Sequence, residues 1–212
     1  MTLLAIAPRE SGLEAGGHAK GVGIAIVRQN RDDGGQGRVK VSYPWHSEPR
    51  ESYWARIAVP MAGGGRGTYF LPEVGDEVLV AFERGDLRFP YVIGALWNGV
   101  DRPPESNDDG RNDRRVIRSR KGHVLVFDDG AKGAVRLALD DGKRVVLDDE
   151  GIRVEDGQGN ALRIDSRSGA LTVEASGALT LKGASVRIEA TGSVDVKAGG
   201  LLGLNGAMVN IN

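Results

Sequence analysis

Three pairs of adjacent acids, Asp128–Asp129, Asp140–Asp141 and Asp148–Asp149, are the residues of this 212-residue chain that most resemble catalytic equipment. Paired carboxylates can divide general-acid and general-base work between them. Each pair here runs into glycine, directly or after Glu150, and Asp beside Gly is what a solvated turn selects. The histidines, His18, His46 and His123, are far apart, and there is no cysteine, so no thiol nucleophile, disulfide or thiolate metal site is available. No serine, histidine and aspartate fall into a recognisable local motif. The glycine-rich "PMAGGGRGTYF" departs from G-x-x-x-x-G-K-[ST] and leads into strand-like residues, which makes it a flexible barrel loop rather than a phosphate cradle. The basic cluster "RNDRRVIRSRK", 111–121, lacks the aromatics on which single-strand binders stack bases, and acids precede it. It reads as a solvated collar of charge. No catalytic residue, cofactor, metal or nucleic-acid partner is expected.

The elements that would have to position any chemistry are strands. No stretch places apolar residues at i, i+3, i+4 and i+7 over three turns. Lys and Arg number 28 against 29 Asp and Glu, a formal net charge of -1, which gives no lead toward nucleic acid or an anionic membrane. Aromatics are only 5% and glycines number 32, a composition of many tight turns between short strands. "MTLLAIAPRE" lacks the basic region and length of a signal peptide. Synthesis in the cytoplasm, with no signal-peptide export, is expected.

Five β-branched or aromatic runs, "GVGIAIVRQN", "GRVKVSYP", "YWARIAVPM", "DEVLVAFERG" and "FPYVIGALWN", lie between Gly21 and Asn98. Five strands in this length suit a small barrel such as an OB-fold, with the neighbourhoods of Trp54 and Trp97 expected in its core. Residues 1–20 precede it as a separate N-terminal segment. Residues 99–115, "GVDRPPESNDDGRNDRR", have the composition of a linker. Beyond them only Phe127 is aromatic.

Residues 116–212 repeat a short phrase. Leu171 and Val173, Leu179 and Leu181, Val186 and Ile188, Val194 and Val196, Leu202 and Leu204, and Val209 and Ile211 are aliphatic pairs, each split by one residue that is not a large apolar one. This alternation makes each unit a strand with one wet and one dry face. The pairs return every seven or eight residues with Gly, Ala, Ser or Thr between. Looser copies upstream are Val124 with Val126, Val135 with Leu137 and Leu139, Val145 with Leu147, Ile152 with Val154, and Leu162 with Ile164. A unit that cannot bury its own dry face needs neighbours. Three chains wound together would close a triangular prism with the pairs from Leu171 to Leu204 along its axis. Roughly twelve layers at about 4.8 Å would give a shaft on the order of 60 Å. The expected fold class is all-β: an OB-fold barrel, then an intertwined trimeric triple-stranded β-helix. A β-sandwich or a single-chain solenoid is the alternative. The end of the chain, 198–212, carries no charged side chain. Met208, Val209, Asn210, Ile211 and Asn212 there are expected to form a platform for a second protein, added strand to strand.

Residues 67–98, "GTYFLPEVGDEVLVAFERGDLRFPYVIGALWN", resemble the OB-fold signature of contractile-tail spikes, the phage baseplate assembly protein V group and the VgrG spikes of type VI secretion. "RSRKGHVLVFDDG", 118–130, is similar to the stretch that opens the β-helix in that family. The resemblance covers about Gly21 to the C-terminus. It implies a homotrimeric spike at the centre of a baseplate, in a phage tail or an extracellular or secreted particle, leading the tube through a target envelope. It further implies a separate trimeric hub protein at the barrel end, a PAAR-type tip protein at the needle end, and transient contact with the target membrane. Large VgrG proteins carry the hub in the same chain, whereas only residues 1–20 precede the barrel here. Neither the lysozyme domain of some phage spikes nor a His-x-His iron apex is expected, since the last histidine is His123. The competing expectation is an OB-fold binding module for nucleic acid or carbohydrate with a fibrous trimerisation tail.

Overall fold

A computed structural model describes residues 13, 14, 18, 19, 21–46 and 51–211. The remainder of the expected N-terminal segment 1–20, and Asn212 of the expected tip surface, lie outside the described residues. The chain divides into two compact units, 1–106 and 107–212.

In the first unit β1 (Leu13–Glu14) and β2 (His18–Ala19) pair as a short antiparallel ladder. The main sheet comprises β3 (Val22–Gln29), β4 (Lys40–Ser42), β5 (Arg56–Ile57), β8 (Glu77–Phe82) and β9 (Pro90–Ala95), in the order β4-β3-β8-β9-β5. All its pairings are antiparallel except β5 with β9. Bridges Val39–Ala55 and Ser42–Glu51 join the two ends of the sheet, so it curls upon itself. Register shifts after Val27 and after Leu79 supply local bending. Alternate residues point inward: Ala25 and Val27, Val39 and Val41, Val78 and Val80, and Val92 form a buried core with Tyr43 and Ala55. The core is built mostly from valines, which suits the narrow inside of a small barrel. The Tyr43 hydroxyl satisfies itself by donating to the Leu87 carbonyl at 2.7 Å, and burial pushes its pKa upward.

Two sequence expectations change here. Trp97 is 69% exposed. Leu96 N–H makes the last bond of the strand, to the Glu77 carbonyl, and Trp97 falls beyond the barrel wall. The glycine-rich loop is itself a small hairpin, β6 (Ala62–Gly63) with β7 (Arg66–Gly67).

The second unit is one seven-stranded antiparallel meander in sequence order: β10 (Arg114–Arg118), β11 (Val124–Asp128), β12 (Ala134–Ala138), β13 (Arg144–Asp148), β14 (Gly151–Glu155), β15 (Ala161–Asp165) and β16 (Leu171–Glu174). The sequence expectation wound every layer from Val116 onward in the same way between chains. The structure instead pairs these seven layers within one chain. The reason lies in the turns. Asp128, Asp148, Asp156 and Asp165 each accept a backbone N–H two residues on, at 2.8–3.1 Å, which closes the reversals. After Glu174 no strand is assigned among the described residues. From 175 to 211 the only assigned features are bends, at 176–177, 184, 191–192, 199–200 and 207.

Candidate assembly surface

The register of the meander sorts its residues into two unlike faces. One face carries two continuous columns. Phe127, Val135, Leu147, Ile152, Ile164 and Leu171 are successive cross-strand partners. So are Ile117, Leu125, Leu137, Val145, Val154, Leu162 and Val173. Of the two valines expected on this face from β11, Val124 and Val126, neither is there. Val126 pairs with Val116 and Arg136 on the opposite face, while Leu125 and Phe127 take the apolar positions. A one-residue slip in assigning a strand inverts its faces, and in "VLVFD" four consecutive apolar residues hide the alternation.

The opposite face is a lattice of ion pairs. Arg136 reaches Asp128 at 3.0 Å, and Arg144 Nε donates to Glu155 at 2.7 Å. Arg153 pairs with Asp148 and, at 3.2 Å, with Glu150. Arg163 lies 3.5 Å from Glu155 and 3.6 Å from Glu174. The lattice lowers the carboxyl pKa values. For Asp128 the cause is chiefly the Gly130 N–H, then Arg136. For Glu155 it is the Arg144 hydrogen bond. Asp148 is driven upward by desolvation, but the Glu150 N–H and the Arg153 charge outweigh that.

Burial is the reverse of what a self-sufficient sheet would show. The two buried apolar residues of the sheet, Val126 and Val146, sit on the charged face; around Val146 the wall is made by Arg136, Arg144, Arg153, Glu155 and Arg163. The aliphatic columns are uncovered: Leu137, Leu147 and Val154 are each more than 40% exposed. Thirteen large side chains on one face present on the order of 1,000 Å² of apolar surface, above the few hundred Å² that a monomeric protein usually carries in one patch.

Leu171 and Val173 therefore extend the two columns. Leu179 joins Leu137, Val145, Val154, Leu162 and Val173 in a groove beside the apolar face. Leu181, Val186, Ile188, Val194, Val196, Leu202 and Leu204 lie on the tail beyond the last strand, each at least half exposed. Met208, Val209, Asn210 and Ile211 are exposed at its end.

The residues considered for other chemistry have local structural tasks. The Asp140 backbone N–H points at His123 Nδ1, 3.3 Å away, and Lys143 pairs with Asp141. In the basic cluster Arg111 holds Asp109 at 2.8 Å, Arg115 holds Asp129 at 3.0 Å and Lys121 lies 3.9 Å from Asp140. Among the described residues no three His, Asp or Glu gather as a metal site would require. The ion-pair face escaped the sequence expectation, although its signal is present: Arg136, Arg153 and Arg163 each stand between two aliphatic residues, as in "LRI". On the barrel, sequence gave no hint of the stacked Tyr53 and Phe89 rings, 5.4 Å apart, or of Arg56 over Tyr91 at 4.7 Å.

Comparison with known proteins bears on both units. Residues 23–97 match the family described as the type VI secretion system/phage-baseplate injector OB domain. The chain is 31% identical over 115 residues to the type VI secretion system spike protein VgrG2a of Pseudomonas aeruginosa, covering 50% of this chain and 14% of that protein. It is 34% identical over 87 residues to spike protein VgrG3 of Vibrio cholerae, covering 39% and 8%. Against the actin cross-linking toxin VgrG1 of Vibrio cholerae it is 27% identical over 170 residues, covering 74% and 15%. The chain thus spans between 8 and 15% of the length of these relatives. The 170-residue alignment outruns the barrel, so the likeness continues beyond it. With its curled five-stranded sheet and its single parallel pairing, the segment 23–97 is an OB domain of the kind found in phage baseplate V proteins and VgrG spikes.

Proposed function

We propose that this chain is the central spike of a contractile injection machine, a structural protein whose three copies form a needle that leads the inner tube and punctures a target envelope. The observation that carries this reading is the bare apolar face of the meander, continued by aliphatic pairs along the tail. Such a face is stable in water only when covered, and three copies facing inward cover it with themselves. Burying one Leu or Val fully is worth about 1.5–3 kcal/mol, so thirteen per copy on the sheet alone give a large driving force before ordering entropy is subtracted. The ion-pair face then lies outward and keeps the shaft wettable during its transient contact with a membrane. The spike names of the relatives support the same role.

In this reading residues 21–98 form the collar and 99–115 the link, and the needle runs from 116 to 212. The collar end, with residues 1–20, meets a separate trimeric hub protein. The uncharged end from Met208 to Asn212 receives a PAAR-type tip protein. The particle is a phage tail or an extracellular or secreted relative of one. Light scattering is expected to give three times the chain mass of 22.5 kDa. Val194→Asp is expected to abolish that assembly and Asp195→Ser to leave it intact. A folded monomer or dimer, or equal tolerance of both substitutions, overturns the reading.

A further inference from the structure

The barrel carries a groove of its own, between the loop at 35–37 and the β6–β7 hairpin with the residues that follow it. Its volume is about 630 Å³, and Ile57 and Leu71 of its lining pack against the barrel core. Both walls are fixed from within. The Asp32 carboxylate receives the Gly34 and Gln36 N–H groups at 3.0 and 3.1 Å, and Asn30 Nδ2 donates to the Pro72 carbonyl at 3.0 Å. On the hairpin side the Thr68 N–H closes on the Met61 carbonyl at 3.0 Å. Gly67 takes φ +150° there, and a Cβ on it would lie 2.6 Å from the Met61 carbonyl oxygen, closer than any side chain tolerates. The groove is thus shaped before any ligand arrives, which lowers the cost of binding.

Two rings and several unused polar heads line it. Tyr69 is 75% and Phe70 68% exposed, and a Cβ on Gly37 would lie 3.5 Å from Tyr69 Cε2, so that ring spans toward the opposite wall. Among the described residues the Gln36 carboxamide, the Arg66 guanidinium and the Tyr69 hydroxyl make no hydrogen bond or ion pair. The Thr68 hydroxyl oxygen is shielded from solvent and still has no partner. No acid occurs between Arg56 and Glu73, so nothing in this stretch neutralises Arg66. Ligand classes make different demands on such a lining. A wholly apolar ligand would leave the polar heads unpaired. A nucleic-acid strand needs several cations along its phosphates, and the hairpin supplies one. An added peptide strand is held chiefly by backbone bonds, which call for no cluster of side-chain donors around ring faces. A saccharide offers flat C–H faces to the rings and hydroxyls that both donate and accept, and a carboxylate on the sugar completes the Arg66 fork. We propose that this groove binds an acidic saccharide, with its C–H faces against Tyr69 and Phe70, its carboxylate on Arg66 and its hydroxyls on Gln36 and Thr68. The site is complete within one copy of the chain and does not depend on the trimeric reading. To a spike it adds a place on the collar that holds the sugar acids of an envelope surface.

The test titrates the full chain, by calorimetry and saturation-transfer NMR, with oligogalacturonate, sialyllactose and N-acetylmuramic acid, and with maltotriose as the neutral control. At least one acidic sugar is expected to bind with a Kd on the order of 1 mM and at least about tenfold more tightly than maltotriose. Which of the three binds separates a uronate polymer, a sialylated glycan and a cell-wall sugar as the source. Arg66→Gln is expected to remove the preference for the acid. Tyr69→Ala with Phe70→Ala is expected to weaken acidic and neutral sugars alike, by about tenfold. Thr68→Val is expected to weaken binding without lowering the thermal midpoint, because the hydroxyl it removes has no partner in the fold. Circular dichroism and light scattering check that each variant keeps the fold and mass of the unmodified chain. The inference is overturned if no acidic sugar binds at about 10 mM, if Arg66→Gln binds the acid as tightly as before, or if Thr68→Val lowers the midpoint. Selection of carboxylate-bearing peptides from a random peptide library, without sugar binding, overturns it in favour of a protein partner. A trimeric chain that binds no sugar sinks this inference alone, and a monomeric chain that binds sugar sinks the spike reading alone.

Discussion

Gly151 occupies the tightest position of the meander. It follows the two-residue turn Asp149–Glu150, takes φ +145°, and a Cβ built on it would lie 1.8 Å from the Ile164 carbonyl oxygen. No side-chain rotation relieves a clash between a Cβ and a backbone atom. Gly151→Ala is therefore expected to force β14 and β15 apart and to destabilise the sheet by at least about 2–3 kcal/mol, read as a drop in the thermal midpoint. The substitution removes no aliphatic side chain, so a midpoint equal to that of the unmodified chain would mean that the β14–β15 register is not as described. Asp32 shows the complementary case, a side chain that organises its loop: its carboxylate receives Arg38 Nε at 2.8 Å and Nη2 at 2.9 Å, and the Gly34 N–H at 3.0 Å. The Arg38 hydrogen bond, the largest influence, holds the Asp32 pKa far below the usual carboxylate range.

Among elements, the charged face of the meander is where pH acts. Asp128, Asp148 and Glu155 have folded pKa values below their ordinary 3.8 and 4.5. In the unfolded chain they bind protons more readily than in the folded one, so their contribution is complete above those ordinary values. It disappears as pH falls through the lowered folded values. The thermal midpoint of the sheet is expected to stay level between about pH 7 and 5 and to fall below about pH 4. Replacing all three by Asn or Gln is expected to flatten that fall, as followed by circular dichroism; an unchanged acid limb would place the sensitivity elsewhere. The same elements show what the sequence could reveal. The five barrel strands stand out because β-branched runs alternate with turn residues, and the aliphatic pairs from Leu171 on stand out because a single polar or small residue divides each pair. The self-pairing of 114–174 did not. Its strands are as short as the tail segments, and the difference lies in Asp side chains capping backbone N–H groups, which composition alone does not distinguish from solvated turns. The facing of β11 was hidden by four apolar residues in a row. The stacked rings of the barrel bring together Tyr53 and Phe89, thirty-six positions apart, a distance at which pattern carries no signal.

For the molecule as a whole, two units with different needs imply two kinds of stability. The barrel encloses its own core, nine residues of it among those described, within one chain. The meander leaves its apolar columns exposed, and in the proposed needle copies of the chain cover them. Species that associate only when folded gain stability with concentration, whereas a self-contained fold does not. Calorimetry is expected to show two transitions, with the shaft transition moving upward as protein concentration rises and the barrel transition fixed. A single transition independent of concentration would contradict assembly through the shaft.

The regular spacing of the bends has one more outcome. Each stretch from bend to bend is a unit with its own aliphatic pair and its own bend. Adding or removing a whole unit leaves every remaining pair in phase with its bend, while a shift by a single residue puts all later pairs on the other face of the chain. The length of such a tail is thus quantised: it can be made longer or shorter by whole units, without redesigning any of them.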